Sequence, residues 1–112
     1  MHVAKPWGYE IIWAHTAHYI GKILHIRKGE RLSLQHHEQK EESLYLHTGK
    51  VLIMLEDPQG IFQEYTLIPT QHIHIPAGAK HRITAQEDSD IFEVSTAHLE
   101  DVIRHEDDYG RI

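Results

Sequence analysis

The sequence predicts an all-β domain, and three observations carry that reading. Short runs rich in β-branched and aromatic residues recur at close spacing, Gly or Pro punctuates their connections, and no segment of length keeps a helical period. The first expected strand is 8–13 (Gly-Tyr-Glu-Ile-Ile-Trp), followed by 19–26 with Tyr19, Ile20, Ile23, Leu24 and Ile26. The Lys28-Gly29 turn then leads into 31–37, where Leu32 and Leu34 alternate with polar residues. A turn at Thr48-Gly49 connects strands 43–47 and 50–56, and Asp57-Pro58-Gln59-Gly60 separates them from 63–67. Strands 72–75 and 81–85 flank Pro76-Ala77-Gly78, and 90–95 closes the series. After Ala97 the pattern turns acidic around Val102, Ile103 and Tyr109, which fits a closing strand or a short helix. Many short strands of this kind make a sandwich or a small barrel. No linker, low-complexity tract or repeat divides the chain, so residues 1–112 are expected to form a single domain.

Composition narrows the setting. A chain of 112 residues with 40% hydrophobic and 25% charged residues is that of one globular domain, neither disordered nor membrane-embedded. The formal charge of −6 argues against nucleic acid as a partner. No cysteine is present, so disulfides and thiolate ligands are excluded. There is no apolar signal core at the N-terminus and no run near the roughly 20 apolar residues of a membrane span. The default expectation is a cytoplasmic protein with no membrane partner.

The chemistry-bearing residues fall in two segments. Side chains two apart on a strand share a face, so Gln35, His37 and Gln39 point one way while Leu32, Leu34 and His36 point the other. Glu42 breaks that parity, and a turn through Lys40-Glu41 would bring its carboxylate round to the same side. His81 follows Pro76-Ala77-Gly78-Ala79-Lys80 in a distant hairpin. Two imidazoles and a carboxylate form a mixed nitrogen and oxygen set suited to a borderline divalent metal: Zn, Mn, Fe, Ni or Co. Among the chain's 12 histidines, His2, His15, His18, His47, His98 and His105 have bland readings as surface or core residues, while alternation leaves His36, His72 and His74 open as neighbours of the site.

These segments resemble the two motifs of the cupin superfamily. The first runs from Gly29 through His37, Gln39 and Glu42 to Gly49, and the second runs Pro76, Gly78, His81. Thr70 and Ala85 stand where the second motif has glycine and asparagine, and Gln39 replaces a histidine. The resemblance implies a jelly-roll (double-stranded β-helix) barrel with His37, Glu42 and His81 as metal ligands, and Gln39 or Gln35 as a fourth. Gln35-x-His37 is similar to the ligand pair of type I mannose-6-phosphate isomerases.

A narrower resemblance spans most of the chain. Lys5-Pro6-Trp7-Gly8-Tyr9-Glu10, Gly29-Glu30-Arg31-Leu32-Ser33-Leu34-Gln35, Ile75 to Arg82, Glu100 to Arg104 and Glu106-Asp107-Asp108-Tyr109-Gly110-Arg111 occur in order. They look like the C-terminal cupin domain of type II mannose-6-phosphate isomerases, often fused to a mannose-1-phosphate guanylyltransferase. That likeness implies a metal-dependent aldose–ketose isomerase of a sugar phosphate, and a homodimer. The alternatives are a noncatalytic metal-containing sugar or nucleotide-sugar binding module and an Fe-dependent oxygenase, for which two histidines and a carboxylate are a suitable set. A proton-transfer base is also required, with Glu30, His74 and Lys28 as candidates. Arg104, Lys5 and Tyr45 are candidates for substrate binding, and Trp7, Tyr9 and Trp13 for packing or a sugar face. Lys80 and Arg82 are expected to point away from His81. In the closing motif Arg104 and Arg111 are open to two readings, a phosphate contact or pairing with Asp107 and Asp108 that locks the C-terminus, and Arg111 is expected to be structural.

Overall fold

The computed structural model describes all residues from Met1 to Ile112 and contains strands but no helix. The strands are β1 (His2–Lys5), β2 (Gly8–His15), β3 (Tyr19–Ile26), β4 (Leu34–His36), β5 (Glu42–Thr48) and β6 (Val51–Glu56). They continue as β7 (Phe62–Leu67), β8 (His72–Ile75), β9 (His81–Ala85), β10 (Ser89–Thr96) and β11 (Ile103–Glu106). They form two antiparallel sheets, a six-stranded one in the order β1-β2-β3-β10-β5-β8 and a five-stranded one in the order β11-β4-β9-β6-β7. The sheets face each other across an apolar core, as a jelly-roll barrel requires.

The expected strands all appear, with three changes. A short polar β1 precedes the first expected strand and pairs His2 with Ile11 through Lys5 with Gly8. The 31–37 strand shrinks to Leu34–His36, because Arg31 makes only an isolated bridge to Thr84 and Leu32 N donates separately to Ile83 O. The acidic end closes as a strand, β11 against β4, rather than as a helix.

Alternation places the core. Leu24, Ile26, Leu44, Leu46, Val51, Ile53, Ile75, Ile83 and Ile91 point inward and are almost fully buried, with Trp7 packed among them. Four strands share one change along that inward face. Ile26 and Leu24 give way to Lys22, Ile91 to Glu93, Leu46 and Leu44 to Glu42, and Ala85 and Ile83 to His81. The registers Lys22 with Glu93, and Glu93 with Leu44, bring these polar residues to one end of the barrel. Apolar packing therefore fills one end and leaves the other for buried polar side chains. Such groups are tolerated only where partners satisfy them.

One glycine is needed sterically at the β5–β6 turn. Gly49 has φ +95°, and a Cβ there would lie 2.2 Å from Ser89 Oγ and 2.4 Å from the Asp88 carbonyl.

Candidate metal centre

Two imidazoles and a carboxylate meet at the polar end of the barrel. His37 ends the segment after β4, Glu42 opens β5 and His81 opens β9, and all three are buried. Their ligand atoms lie within 4.8 Å of one another. Glu42 Oε1 is 3.3 Å from His81 Nε2 and 3.8 Å from His37 Nε2.

Hydrogen bonding decides which ring nitrogens face inward. His37 Nδ1 donates to the Asp101 carbonyl at 2.5 Å, and His81 Nδ1 donates to the Ala79 carbonyl at 3.0 Å. A carbonyl only accepts, so each Nδ1 carries the proton. In the neutral rings each Nε2 then presents a lone pair to Glu42, and both Nε2 atoms are buried without a hydrogen-bond partner. Three acceptors converging in a buried space call for a cation between them. One divalent ion between them would satisfy both lone pairs and the carboxylate together. The residues fit a divalent metal.

The turn after His37 is held from the far end of the chain. The Asp101 carboxylate accepts the backbone N–H groups of Glu38, Gln39 and Lys40 at 3.0, 2.7 and 2.9 Å. Those bonds, from Gln39 first, hold its pKa down at about 2. They also turn the chain so that Glu42 re-enters the inward face. Asp101 thus grips the segment twice, through its carboxylate and through its carbonyl on His37.

A buried charge network backs the centre. Lys40 Nζ lies 3.2 Å from Glu42 Oε2 and 3.1 Å from Glu93 Oε2, the latter a contact through charge more than hydrogen-bond direction. Burial alone would push the Lys40 ammonium down, but Glu93 and Glu42 outweigh it and hold it above the usual lysine range. Burial likewise pushes Glu42 up; with no metal bound, His37 and His81 reverse that when their rings are protonated and donate from Nε2, and Lys40 adds to it, so that Glu42 is held well below the carboxylate range. Glu93 is raised by burial and by the nearby Glu42, against the pull of Lys40 and Lys22. On the next strands Glu10 pairs with Lys22 at 3.4 Å and with Lys5 at 4.0 Å.

A cavity of about 100 Å³ opens onto the centre. His37, Glu42, His81, Gln35, Glu10, Glu93, Lys5, Arg104 and Arg111 are among the residues that line it. Of the two amide candidates, Gln35 lines the cavity and Gln39 does not. Gln39 is exposed and uses its backbone N–H on Asp101, because the turn that delivers Glu42 swings position 39 outward. Gln35 Oε1 accepts from Ser33 Oγ at 2.7 Å.

Other candidates lie elsewhere. Glu30 accepts from the Tyr109 hydroxyl at 2.5 Å beneath the C-terminal segment, outside the cavity. His74 is exposed on the outer face of β8 and pairs with Glu41 at 2.9 Å, and Lys28 is exposed in a turn capped by Asp88. Tyr45 points outward from β5 and stacks on Phe92, because alternation puts it opposite to Leu44 and Leu46. Lys5 and Arg104 do reach the cavity. Lys80 is absent from the lining. Arg82 contributes to the lining but turns its guanidinium to the Leu32 carbonyl and Asp108. In the closing motif Asp107 binds Arg111 through both oxygens, while Asp108 binds Arg31 and Arg82. Arg111 is therefore held structurally, and Arg104 is left without either aspartate. Lys40, Glu93, Glu10 and Asp101 enter the site through cross-strand or long-range contacts; Glu10 and Asp101 lie in the segments that carry the family resemblance, but nothing local marks any of the four as a site residue.

Comparison with known proteins agrees with this architecture. The family model described as mannose-6-phosphate isomerase C-terminal matches residues 1–108. The chain belongs to that family. It is 32% identical over 116 residues to the mannose-1-phosphate guanylyltransferase ManC of Salmonella typhimurium, covering 98% of this chain and 23% of the relative. A mannose-1-phosphate guanylyltransferase of Escherichia coli is 31% identical with the same coverage. The chain thus spans about a quarter of the length of these curated relatives. Among solved structures, KdgF from Halomonas sp. superposes with a TM-score of 0.77 at 21% identity, covering 88% of this chain and 87% of that one. An oxalate decarboxylase variant from Bacillus subtilis gives 0.81 at 14%, covering 94% and 30%. These likenesses establish the cupin fold.

Proposed function

We propose that this family member is a metal-dependent aldose–ketose isomerase acting on a sugar phosphate, most simply interconverting mannose 6-phosphate and fructose 6-phosphate. The observation that carries the reading is the pair of inward Nε2 lone pairs facing Glu42 at a cavity, in a chain of the mannose-6-phosphate isomerase C-terminal family. A bound Zn, Mn, Fe, Ni or Co ion would supply Lewis-acid stabilisation of the negative charge that develops on the sugar's C1 and C2 oxygens. His37, Glu42 and His81 would hold it, with Gln35 beside them.

The chain's own residues do the rest. Isomerisation moves a proton from C2 to C1 through an enediol, so a carboxylate that is not a metal ligand must take and return it. Glu10 fits that role because it lines the cavity and its carboxylate lies beside the ammonium groups of Lys22 and Lys5. Glu93 is the poorer choice, being fully enclosed and clamped by Lys40. The Gln35 amide, oriented by Ser33, can donate to a sugar hydroxyl. A homodimer is also part of this proposal. Trp13, Tyr19, Tyr45, Phe92 and Val94 expose an apolar outer face on the six-stranded sheet, and light scattering on the purified protein tests it.

The deciding experiment is metal analysis followed by turnover assays with each metal restored, on wild type, His81→Ala and Glu10→Gln. Bound metal with turnover, lost in His81→Ala and reduced about 10²- to 10⁴-fold in Glu10→Gln, supports the isomerase. Stoichiometric metal with no turnover on any sugar phosphate replaces it with a noncatalytic sugar or nucleotide-sugar binding module. Oxygen uptake with Fe would replace it with an oxygenase.

A further inference from the structure

Six cationic side chains line the cavity: Lys5, Lys22, Lys40, Arg82, Arg104 and Arg111. Five of them have a carboxylate within 4.0 Å. Lys5 and Lys22 share Glu10, Lys40 lies between Glu42 and Glu93, Arg82 has Asp108, and Arg111 has Asp107. Arg104 has none, and its Nε is buried with no hydrogen-bond partner. Asp107 is near enough to feel its charge, but both carboxylate oxygens are taken by Arg111. A buried guanidinium N–H without a partner is a costly arrangement in a folded protein unless a ligand completes it.

The strand register fixes where that ligand would sit. Arg104 on β11 pairs with Gln35 on β4, and Gln35 pairs with His81 on β9. All three line the same cavity, so they form one row across the sheet's inner face. Neighbouring strands lie about 4.8 Å apart, which puts the Arg104 and His81 backbones about 10 Å apart with Gln35 between them. The row has a metal-ligating end, an amide in the middle and an open cationic fork at the other end.

We infer that Arg104 is the anion anchor of the site and binds the terminal phosphate of a substrate whose reacting carbons lie at the His81 end. The planar fork of arginine grips two phosphate oxygens at once, which a lysine cannot do. Gln35 lies under the hydroxyl-bearing middle of the chain. The spacing selects a phosphate several carbons from the reacting end, a hexose 6-phosphate over a hexose 1-phosphate. The choice of reacting end rests on the isomerase reading, whereas the anion site does not.

The test uses the metal-loaded full chain and calorimetric titration with mannose 6-phosphate, mannose 1-phosphate and free mannose. It compares wild type with Arg104→Met and Arg104→Lys, and metal content and melting temperature are read alongside. Wild type is expected to bind mannose 6-phosphate more tightly than the other two. Arg104→Met should weaken that binding about 10- to 100-fold, as expected for loss of charge-assisted hydrogen bonds, with metal content and free-mannose binding unchanged. Arg104→Lys should fold like wild type and recover only part of the loss. In any turnover assay the defect should fall on KM more than on kcat. Binding through Arg104 without turnover would keep the anchor and remove the isomerase. Unchanged mannose 6-phosphate binding in Arg104→Met, wild-type affinity in Arg104→Lys, or an equal loss for free mannose would overturn the anchor, even if turnover survives.

Discussion

Replacing Lys40 with methionine tests how the polar end of the barrel is held together. The ammonium lies 3.2 Å from Glu42 and 3.1 Å from Glu93, and all three side chains are at least nine-tenths buried. At an effective dielectric of about 20, each contact represents about 5 kcal/mol of gross attraction. Part of that is offset by the ammonium's own desolvation, which the substitution relieves. What remains is two carboxylates facing each other in a closed space, and removing one partner of a buried ion pair costs about 3–5 kcal/mol. At roughly 4 °C per kcal/mol for a domain near this size, Lys40→Met should melt about 12–20 °C below wild type when metal-free. Methionine keeps the length and bulk of the stem, so a cavity is not the cause. A divalent ion at His37, Glu42 and His81 should raise the variant's melting temperature more than the wild type's, because it supplies positive charge beside Glu42 that Lys40 no longer provides. Scanning calorimetry with and without metal reads both effects. A metal-free variant within about 0.5 kcal/mol of wild type, the range of an ordinary surface change, would refute the reasoning.

Three further outcomes follow from other contacts. Asp101→Ala removes the acceptor for three backbone N–H groups of the metal-binding turn and should weaken metal affinity about 10- to 100-fold, read by chelator competition. An unchanged affinity would show that the turn holds its shape unaided. The Asp107 carboxyl is lowered to about 2 by Arg111, and Asp108 is lowered by Arg31. Their stabilisation is present above the unfolded carboxyl pKa of about 3.9 and is lost as pH falls through the lowered folded values. Denaturant midpoints should therefore drop between about pH 4 and pH 2, less steeply in Asp107→Asn, and parallel pH profiles would contradict the pairing. Gly49→Ala should cost at least about 2 kcal/mol, since it combines a left-handed backbone with a Cβ placed on Asp88 and Ser89. A stable variant would mean that the turn can rearrange.

The legible parts of this protein were those written in local pattern. The strand 43–47 was legible from its composition and the turn after it, and the turn at Pro76-Ala77-Gly78 marked the start of β9; the hairpin expected around His81 does not form, because β8 and β9 lie in different sheets and pair with other strands. β1 escaped notice because His2–Lys5 is short and polar, and its strand character comes from pairing with β2. The opening of the 31–37 strand was overestimated because its apolar alternation does not reveal that Arg31 meets β9 through a single bridge. At the site, His37, Glu42 and His81 were marked by motif, but the choice between Gln35 and Gln39 needed the path of the turn. Lys40 and Glu93 are 53 positions apart in sequence and meet only through the register of the sheet. The candidates Glu30, His74 and Lys28 were chosen for their chemistry, and it is their faces and neighbours that remove them from the cavity.

The double grip of Asp101 sets an order of events in the life of the chain. The stretch from Gly8 to Thr96 includes every residue proposed to bind the metal, yet the carboxylate and carbonyl that shape the His37 turn arrive only with residue 101. During synthesis the two sheets can largely close while the centre is still unformed. The proposed metal site would then be completed only once the closing strand has docked. A chain cut short before Asp101 would be a barrel without a grip on its metal-binding turn, and so metal retention reports that the C-terminal segment is in place.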